Sequence, residues 1–365
     1  MKVLFVVYHP VDPYIVFETA KKIQDEGGEV LFVIIEKEDI IKTIIDSYGY
    51  ENIVIGKNKK SNINKALQFF TITFKLKSII KKFSPSVVFS TMSPDLSAAL
   101  MLSKIPLICW SDTEIATFNY KYSHRRIDSI LQTESYYKDT PFKNIIEFNG
   151  YKELAYLHPN IFKPDESILN ELGLTVKDRI VLMRFSALTS IHDIGLESEI
   201  LSNESKLFNF VEKIEKLYDV KVLISMTERE LGKRFDKYKL NIHPSKYIHL
   251  LSFCTLYFGE GTTTASESGV LGVPWINIQQ TKRGYLIDQE KNYGLGFRTN
   301  NMDEAFKKGD EYLKKYNIKT EWALKKEKLI QDKIDVSAFF TWFIMNYPES
   351  QRIMKKDPSY QNKFK

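Results

Sequence analysis

Short β-branched apolar runs alternate with helical patterns along nearly the whole chain, and this alternation leaves few folds open. KVLFVVY, EVLFVII, NIVIG, SVVFS, PLICW and SILQTE read as six strands in the first half. Between them stand stretches with helical periodicity, such as PYIVFETAKKIQDEGG, which ends in a Gly pair, and NKALQFFTITFKLKSIIKKF. Apolar strands of this kind, separated by helices, predict βα repeats around a parallel sheet covered on both faces. The pattern breaks over Phe148 to Ser167, FNGYKELAYLHPNIFKPDES, which has little periodicity and reads as a linker. It then restarts with RIVLMRF, KVLISM, TLYFGE, PWINI and GLGFRT as strands, and the chain is mostly helical from Asp303 to about Tyr347.

A length of 365 residues, 43% of them hydrophobic, is enough for two cores. The expectation is therefore an α/β chain of two doubly wound domains facing a cleft. Residues 1–150 form the first, residues 151–335 the second, and residues 336–365 a C-terminal helix and basic tail. Ligands of such sheets bind beyond the carboxyl ends of the strands, so the residues to inspect are those just after each strand.

Charge narrows the partners. The net charge is +6, and the last fifteen residues, QRIMKKDPSYQNKFK, hold five basic residues and one acid. The body is close to neutral, which argues against a nucleic-acid partner. The tail reads as a frayed, solvated terminus, with contact to anionic lipid as its alternative. Cys109 and Cys254 sit in apolar surroundings and read as buried thiols of a cytoplasmic protein. No His or Cys spacing suggests a metal. MKVLFVVYHP turns polar too soon for a signal peptide, and no 18-residue apolar run exists to span a membrane. Phe69 to Phe83, FFTITFKLKSIIKKF, mixes phenylalanines with lysines. Its commoner reading is a helix with a buried stripe and a solvated lysine face; the other is peripheral contact with the inner face of a membrane.

One stretch carries chemistry in its local order: TLYFGEGTTTASESGVLGVPWINI, Thr255 to Ile278. A strand runs into Gly-Glu-Gly-Thr-Thr and then a helix of small residues. Thr264 and Glu267 have capping-box spacing. A helix N-terminus offers unpaired N–H groups and the positive end of a dipole, and glycine lets a ligand approach. With the hydroxyls of Thr262 and Thr263, the turn suits a phosphate or diphosphate. An ordinary capped βα turn would look the same. No Gly-Lys-Ser/Thr follows, so it is not a Walker loop, and it lacks the third glycine of the dinucleotide fingerprint.

Strand, Gly-x-Gly-Thr, small helix with Glu, Gly-x-Pro, strand resembles the C-terminal domain of GT-B-fold nucleotide-sugar enzymes. It is similar to MurG-type transferases and to the non-hydrolysing UDP-GlcNAc 2-epimerases. The chain is identified as a member of a GT-B-like family of bacteria and archaea, domain of unknown function 354, over roughly Lys2 to Arg298. The marks are RFSALTSIHDIG, GEGTTTASESGVLGVP and FNGYKE. The resemblance implies that Gly259, Gly261, Thr262 and Thr263 meet a diphosphate and that Glu267 meets the ribose. A carboxylate there accepts from two vicinal hydroxyls.

Other strand ends supply further candidates. Arg184 and Ser186, after RIVLM, are placed to brace a diphosphate. His192 lies in the loop beyond and is a candidate for acid–base work or sugar contact. Asp112 and Glu114, after PLICW, are candidates for a general base, with a helix N-cap and first-turn acid as the plainer reading. The resemblance adds a catalytic glutamate near this segment in the epimerases. His9 and Asp12, after the first strand, are the acid–base groups of YHPVDPYIVF. The family more often has a histidine where Tyr14 stands, a departure that counts against a base in this loop. The epimerases' arginine loop is absent, and their Gly-Asp pair after the fourth strand is replaced by STMSPD. These departures count against epimerase chemistry.

The expectation is a glycosyltransferase that takes a UDP-sugar as donor substrate, needs no cofactor, and transfers to a cell-surface glycan or lipid-linked acceptor. No Asp-x-Asp occurs, which favours a metal-independent route. A nucleotide-sugar epimerase or hydrolase is the first alternative, and a non-catalytic binding protein of the same fold the second.

Overall fold

The computed structural model describes residues 1–36, 40–57, 62–112, 114, 117–137, 142–185, 203–226, 231–279 and 281–365. The chain divides into two compact units, one of Met1–His158 with Lys333–Lys365 and the other of Pro159–Asp332.

The first unit opens with β1 (Lys2–Val7), α1 (Asp12–Asp25), β2 (Glu29–Glu36), α2 (Ile40–Ser47), β3 (Asn52–Lys57) and α3 (Asn62–Phe83). It continues with β4 (Val87–Thr91), α4 (Pro94–Ala99), β5 (Leu107–Ser111), α5 (Thr117–Ser123), β6 (Ser129–Thr133), β7 (Ile145–Phe148) and α6 (Leu154–Leu157). All seven strands are parallel, in the order β3-β2-β1-β4-β5-β6-β7. The order reverses between β1 and β4, where a doubly wound sheet opens a crevice.

Side-chain alternation sends Leu4, Val6, Leu31, Val33 and Val88 to one face, against Ile72, Leu76 and Ile80 of α3 and Leu96 of α4. The other face is aromatic. Phe5 lies in register with Phe32 on one side and Phe89 on the other, at ring-centroid distances of 5.3 and 6.2 Å. Phe17 of α1 covers part of this layer, 6.0 Å from Phe32.

The second unit holds α7 (Ser167–Glu171), β8 (Arg179–Phe185), α8 (Glu204–Tyr218), β9 (Val220–Met226), α9 (Tyr247–Phe253) and β10 (Leu256–Gly259). After these come α10 (Thr262–Leu271), β11 (Trp275–Ile278), α11 (Gly284–Tyr293), β12 (Gly296–Thr299), α12 (Met302–Leu313) and α13 (Ile318–Asp332). Its parallel sheet runs β12-β11-β10-β8-β9, and its order reverses between β8 and β10. The chain then returns to the first unit with α14 (Val336–Met345), α15 (Glu349–Lys356) and a 3₁₀ turn over Pro358–Phe364.

Two expectations are corrected. The segment read as a linker is largely structural: Phe148 ends a seventh strand, and Tyr151, Leu154, Ala155 and Leu157 are buried. A four-residue strand and a single helical turn are too short to show periodicity. The basic tail does not fray. Trp342 stacks on Tyr360 at 4.8 Å, Phe364 lies 5.7 Å from Phe339, and Gln361 is buried, accepting the Asn149 N–H at 2.7 Å. The tail's lysines mask an apolar and amide side that faces inward.

Deleting residues 358–365 therefore lowers the stability of the first unit, by about 2 kcal/mol or more for the loss of buried aromatic contacts and a buried amide. Urea unfolding followed by tryptophan fluorescence reads this as a lower midpoint; an unchanged midpoint would return the tail to a solvated role.

Candidate functional site

In the second unit the chemistry gathers where the strand order reverses. Gly259 ends β10 opposite Arg184 of β8, and the Glu260 N–H donates to the Arg184 carbonyl at 3.0 Å. A Cβ on Gly259 would sit 2.1 Å from that carbonyl oxygen. Gly259 is buried, so its glycine has a packing reason at the strand end. Gly261 is the N-cap of α10, and its carbonyl accepts from the Tyr257 hydroxyl at 3.1 Å. A Cβ there would lie 2.9 Å from that hydroxyl and 3.5 Å from Arg184 Cδ.

α10 starts at Thr262, and no side chain caps it. The expected capping box is not formed: Thr264 and Glu267 lie inside the helix, where the Thr264 carbonyl accepts from Ser268 Oγ at 2.7 Å. The helix begins two residues before the threonine that spacing suggested. The first-turn N–H groups at Thr262 and Thr263 therefore have no acceptor within the helix, beside a guanidinium. Arg184 lies over Tyr247, 5.1 Å from the ring centroid. Burial opposes its charge, yet Tyr247, Tyr257 and Glu267 outweigh that and hold Arg184 above its ordinary range. Burial pushes the Tyr247 hydroxyl up to about 12, against the pull of Arg184. Glu267 is buried, one helical turn along from Thr263 and Thr264. The arrangement offers an anion a fixed cation, oriented N–H groups and hydroxyls, with a carboxylate held nearby for hydroxyl donors.

The first unit gathers acids at its own carboxyl edge. Asp12 is the first residue of α1, and its Oδ2 accepts from the Tyr8 and His9 N–H groups at 2.9 and 3.0 Å. Asp112 follows β5 and pairs with Lys152, which follows β7; both are buried. Lys152 Nζ is also 3.7 Å from Glu153 and 5.9 Å from the Trp110 ring centroid. Burial raises the Asp12 carboxyl to about 6. The two N–H bonds and Lys152 pull it down, and Asp112 pushes it up. At the order reversal, the Tyr8 hydroxyl donates to Asp95 at 2.9 Å, and Ser93 Oγ donates to the same oxygen.

Asp12 and Asp112 thus come together around Lys152. Glu114 is buried, and its Oε1 accepts from the Tyr137 N–H at 3.4 Å. His9 is exposed, and its Nδ1 accepts from the Val11 N–H at 3.3 Å. Ser186 and His192 lie outside the described residues. Sequence reading missed Lys152 and Asp95. FNGYKE was noted as a family mark, but only the fold brings its lysine to Asp112, 40 positions earlier.

A family model described as "Protein of unknown function (DUF354)" matches residues 10–336. No curated protein matches the sequence. Among solved structures, S. aureus MnaA in a co-structure with UDP aligns at a TM-score of 0.69, 10% identity, over 96% of this chain and 97% of that one. The UDP-GlcNAc 2-epimerase of Neisseria meningitidis, bound to UDP-GlcNAc, aligns at 0.64 and 12% identity, over 96% and 99%. MurG of Acinetobacter baumannii aligns at 0.59 and 13% identity, over 94% and 99%. At these identities the likeness shows the fold: GT-B-like, with two Rossmann-like units and helices at the C-terminal end.

The raised carboxyl of Asp12 has a consequence for stability. A carboxyl that titrates higher in the folded state than in the unfolded chain destabilises the fold above its folded pKa. That penalty disappears as pH falls through 6 towards 4. Asp12→Asn keeps an acceptor for the two N–H groups and removes the charge. The variant is therefore more stable than the parent at pH 8, by about 2 kcal/mol, and the gap closes by pH 4. Denaturant midpoints across this range check it; a gap independent of pH would mean that Asp12 is not destabilised by its burial.

Proposed function

We propose, from the premise that the chain belongs to the DUF354 family, that it is a GT-B-type glycosyltransferase using a nucleoside-diphosphate sugar, with UDP as the nucleotide. The carrying observation is the junction of Arg184 with the uncapped N-terminus of α10 and the buried Glu267. Arg184 and the first-turn N–H groups are suited to the diphosphate, and Glu267 to the ribose hydroxyls. This clamp would offset charge on the leaving diphosphate without a metal. The similar structures that hold UDP or UDP-GlcNAc support the choice of nucleotide.

The acid–base group comes from the first unit. Asp112 is engaged by Lys152, whereas Asp12 titrates at about 6. We assign Asp12 as the base that takes the acceptor hydroxyl proton and the Asp112–Lys152 pair as its neighbour. The acceptor is a cell-surface glycan or a lipid-linked sugar. An epimerase or hydrolase would use the same clamp. The UDP-GlcNAc 2-epimerases among the similar structures keep that reading second.

Glu267→Ala weakens UDP binding by ~1.5–3 kcal/mol, the worth of a charged hydrogen-bonding partner, and Arg184→Ala by a similar amount. Calorimetry on the folded variants measures both, and unchanged affinity in both removes the clamp. Gly261→Val is a poor probe, because its side chain would strike the Tyr257 hydroxyl.

Asp12→Asn leaves UDP affinity intact and lowers turnover by ~10²–10⁴, and the parent's rate rises as pH climbs through about 6. The assay supplies a UDP-sugar with glycan and lipid-linked acceptors and follows UDP release. Full turnover in Asp12→Asn would move the base elsewhere. An isomerised UDP-sugar or free sugar formed without acceptor would favour the epimerase or the hydrolase.

A further inference from the structure

The helix α3 has a buried stripe and a solvated face that carries its lysines, as its sequence suggests, and that outer face also holds large apolar side chains. Ile72, Leu76 and Ile80 are buried in the core of the first unit. On the opposite side Leu67, Phe70 and Phe74 are 64%, 58% and 69% exposed, and their spacing continues along the same stripe into Lys77 and Lys81. Three more large apolar side chains stand exposed on segments that α3 packs near: Met101 and Leu102 after α4, at 66% and 91%, and Tyr122 of α5, at 57%.

A cavity of about 570 Å³ ties these segments together. It is lined by Phe69 and Ile72 of α3, Ala98 and Met101 at the end of α4, and Tyr122 and Arg125 at the end of α5. The apolar rim therefore continues inward. Isolated exposed apolar residues are ordinary, but a grouped set beside an apolar cavity marks an interaction surface.

Charge identifies the partner. α3 carries five lysines and no carboxylate. Lys104 and Lys121 stand in the neighbouring segments. Arg125 is exposed and makes no hydrogen bond or ion pair with the described residues, while Arg126 is tied to Asp128 and to the Leu100, Ser103 and Ile105 carbonyls. Asp95, the one acid lining the cavity, is buried and accepts from Tyr8, Ser93 and the Leu96 N–H. A second copy seated on this face would bring like charges together. Large apolar side chains set among cations are the composition that an anionic bilayer takes up.

We infer that the first unit docks on an anionic membrane through the outer stripe of α3, with Met101, Leu102 and Tyr122 entering the lipid interface. The inference stands on the first unit alone and is independent of which nucleotide the second unit binds.

The test is co-sedimentation of the full chain with vesicles of phosphatidylcholine alone and with an equal part of phosphatidylglycerol. The expected result is partitioning onto the anionic vesicles that falls with added salt. Phe70→Ser/Phe74→Ser lowers the partition coefficient by about tenfold or more, and Lys77→Glu/Lys81→Glu removes the preference for phosphatidylglycerol. Both variants alter exposed residues, so their thermal midpoints and UDP affinity stay at the parent's values. No partitioning by the parent, or equal partitioning by parent and Phe variant, overturns the inference. So does a lipid-free dimer in sedimentation equilibrium that the Phe variant dissociates, which would assign the surface to a second copy. Loss of UDP binding in the parent would sink the nucleotide reading and leave the membrane result standing.

Discussion

A parallel sheet buried on both faces needs two layers of helix, and the first unit lacks part of its second layer until the chain comes back to it. Phe5, Phe32 and Phe89 form an aromatic surface that α1 covers only in part. Phe340 of α14 completes it, 5.7 Å from Phe89 and 5.2 Å from Phe148. Leaving that surface in water would cost roughly 1.5–3 kcal/mol for each ring. The return of residues 333–365 is thus a condition of the sheet, although the sequence places them after the second unit.

The same return positions the acid cluster. Asn149, directly after β7, is held from three directions. Its carbonyl accepts from the Ile334 N–H at 3.0 Å, its side-chain oxygen from Lys333 at 2.9 Å, and its own N–H donates to Gln361. Lys152 lies three residues further on and meets Asp112. The chain crosses between units at His158–Pro159 and Asp332–Lys333. Just inside the first unit at these crossings, His158 and Asp335 stand 3.6 Å apart. Stability of the first sheet and placement of Lys152 therefore have one cause, the docking of the C-terminal segment.

The strands were legible because a run buried on both faces carries its own signal, and all eleven runs read as strands are found in the two sheets. IIEF was not legible, since one exposed glutamate in four residues leaves no pattern. Arg184 and the Gly-Glu-Gly-Thr turn were legible because they lie beside a strand end in the sequence. What the glycines do was not. Gly259 and Gly261 are two residues apart, yet one is fixed by a carbonyl from a neighbouring strand and the other by a tyrosine hydroxyl. The buried stripe and the lysine face of α3 were legible, but which phenylalanines stand outside was not: Phe70 and Phe74 are exposed, whereas Phe69 is half-buried.

The two carboxyl edges treat charge differently. At the second sheet the fixed groups are an arginine and a helix N-terminus, both of which favour an incoming anion and keep their charge at any working pH. At the first sheet two aspartates share one lysine. A single ammonium stabilises the nearer carboxylate most, and that is Asp112. Burial raises the other carboxyl, Asp12, to about 6, against the pull of the Tyr8 and His9 N–H groups and of Lys152, and the Asp112 charge adds to the rise. Asp12 opens α1, directly after the turn that follows β1, at the order reversal where a doubly wound sheet admits a ligand.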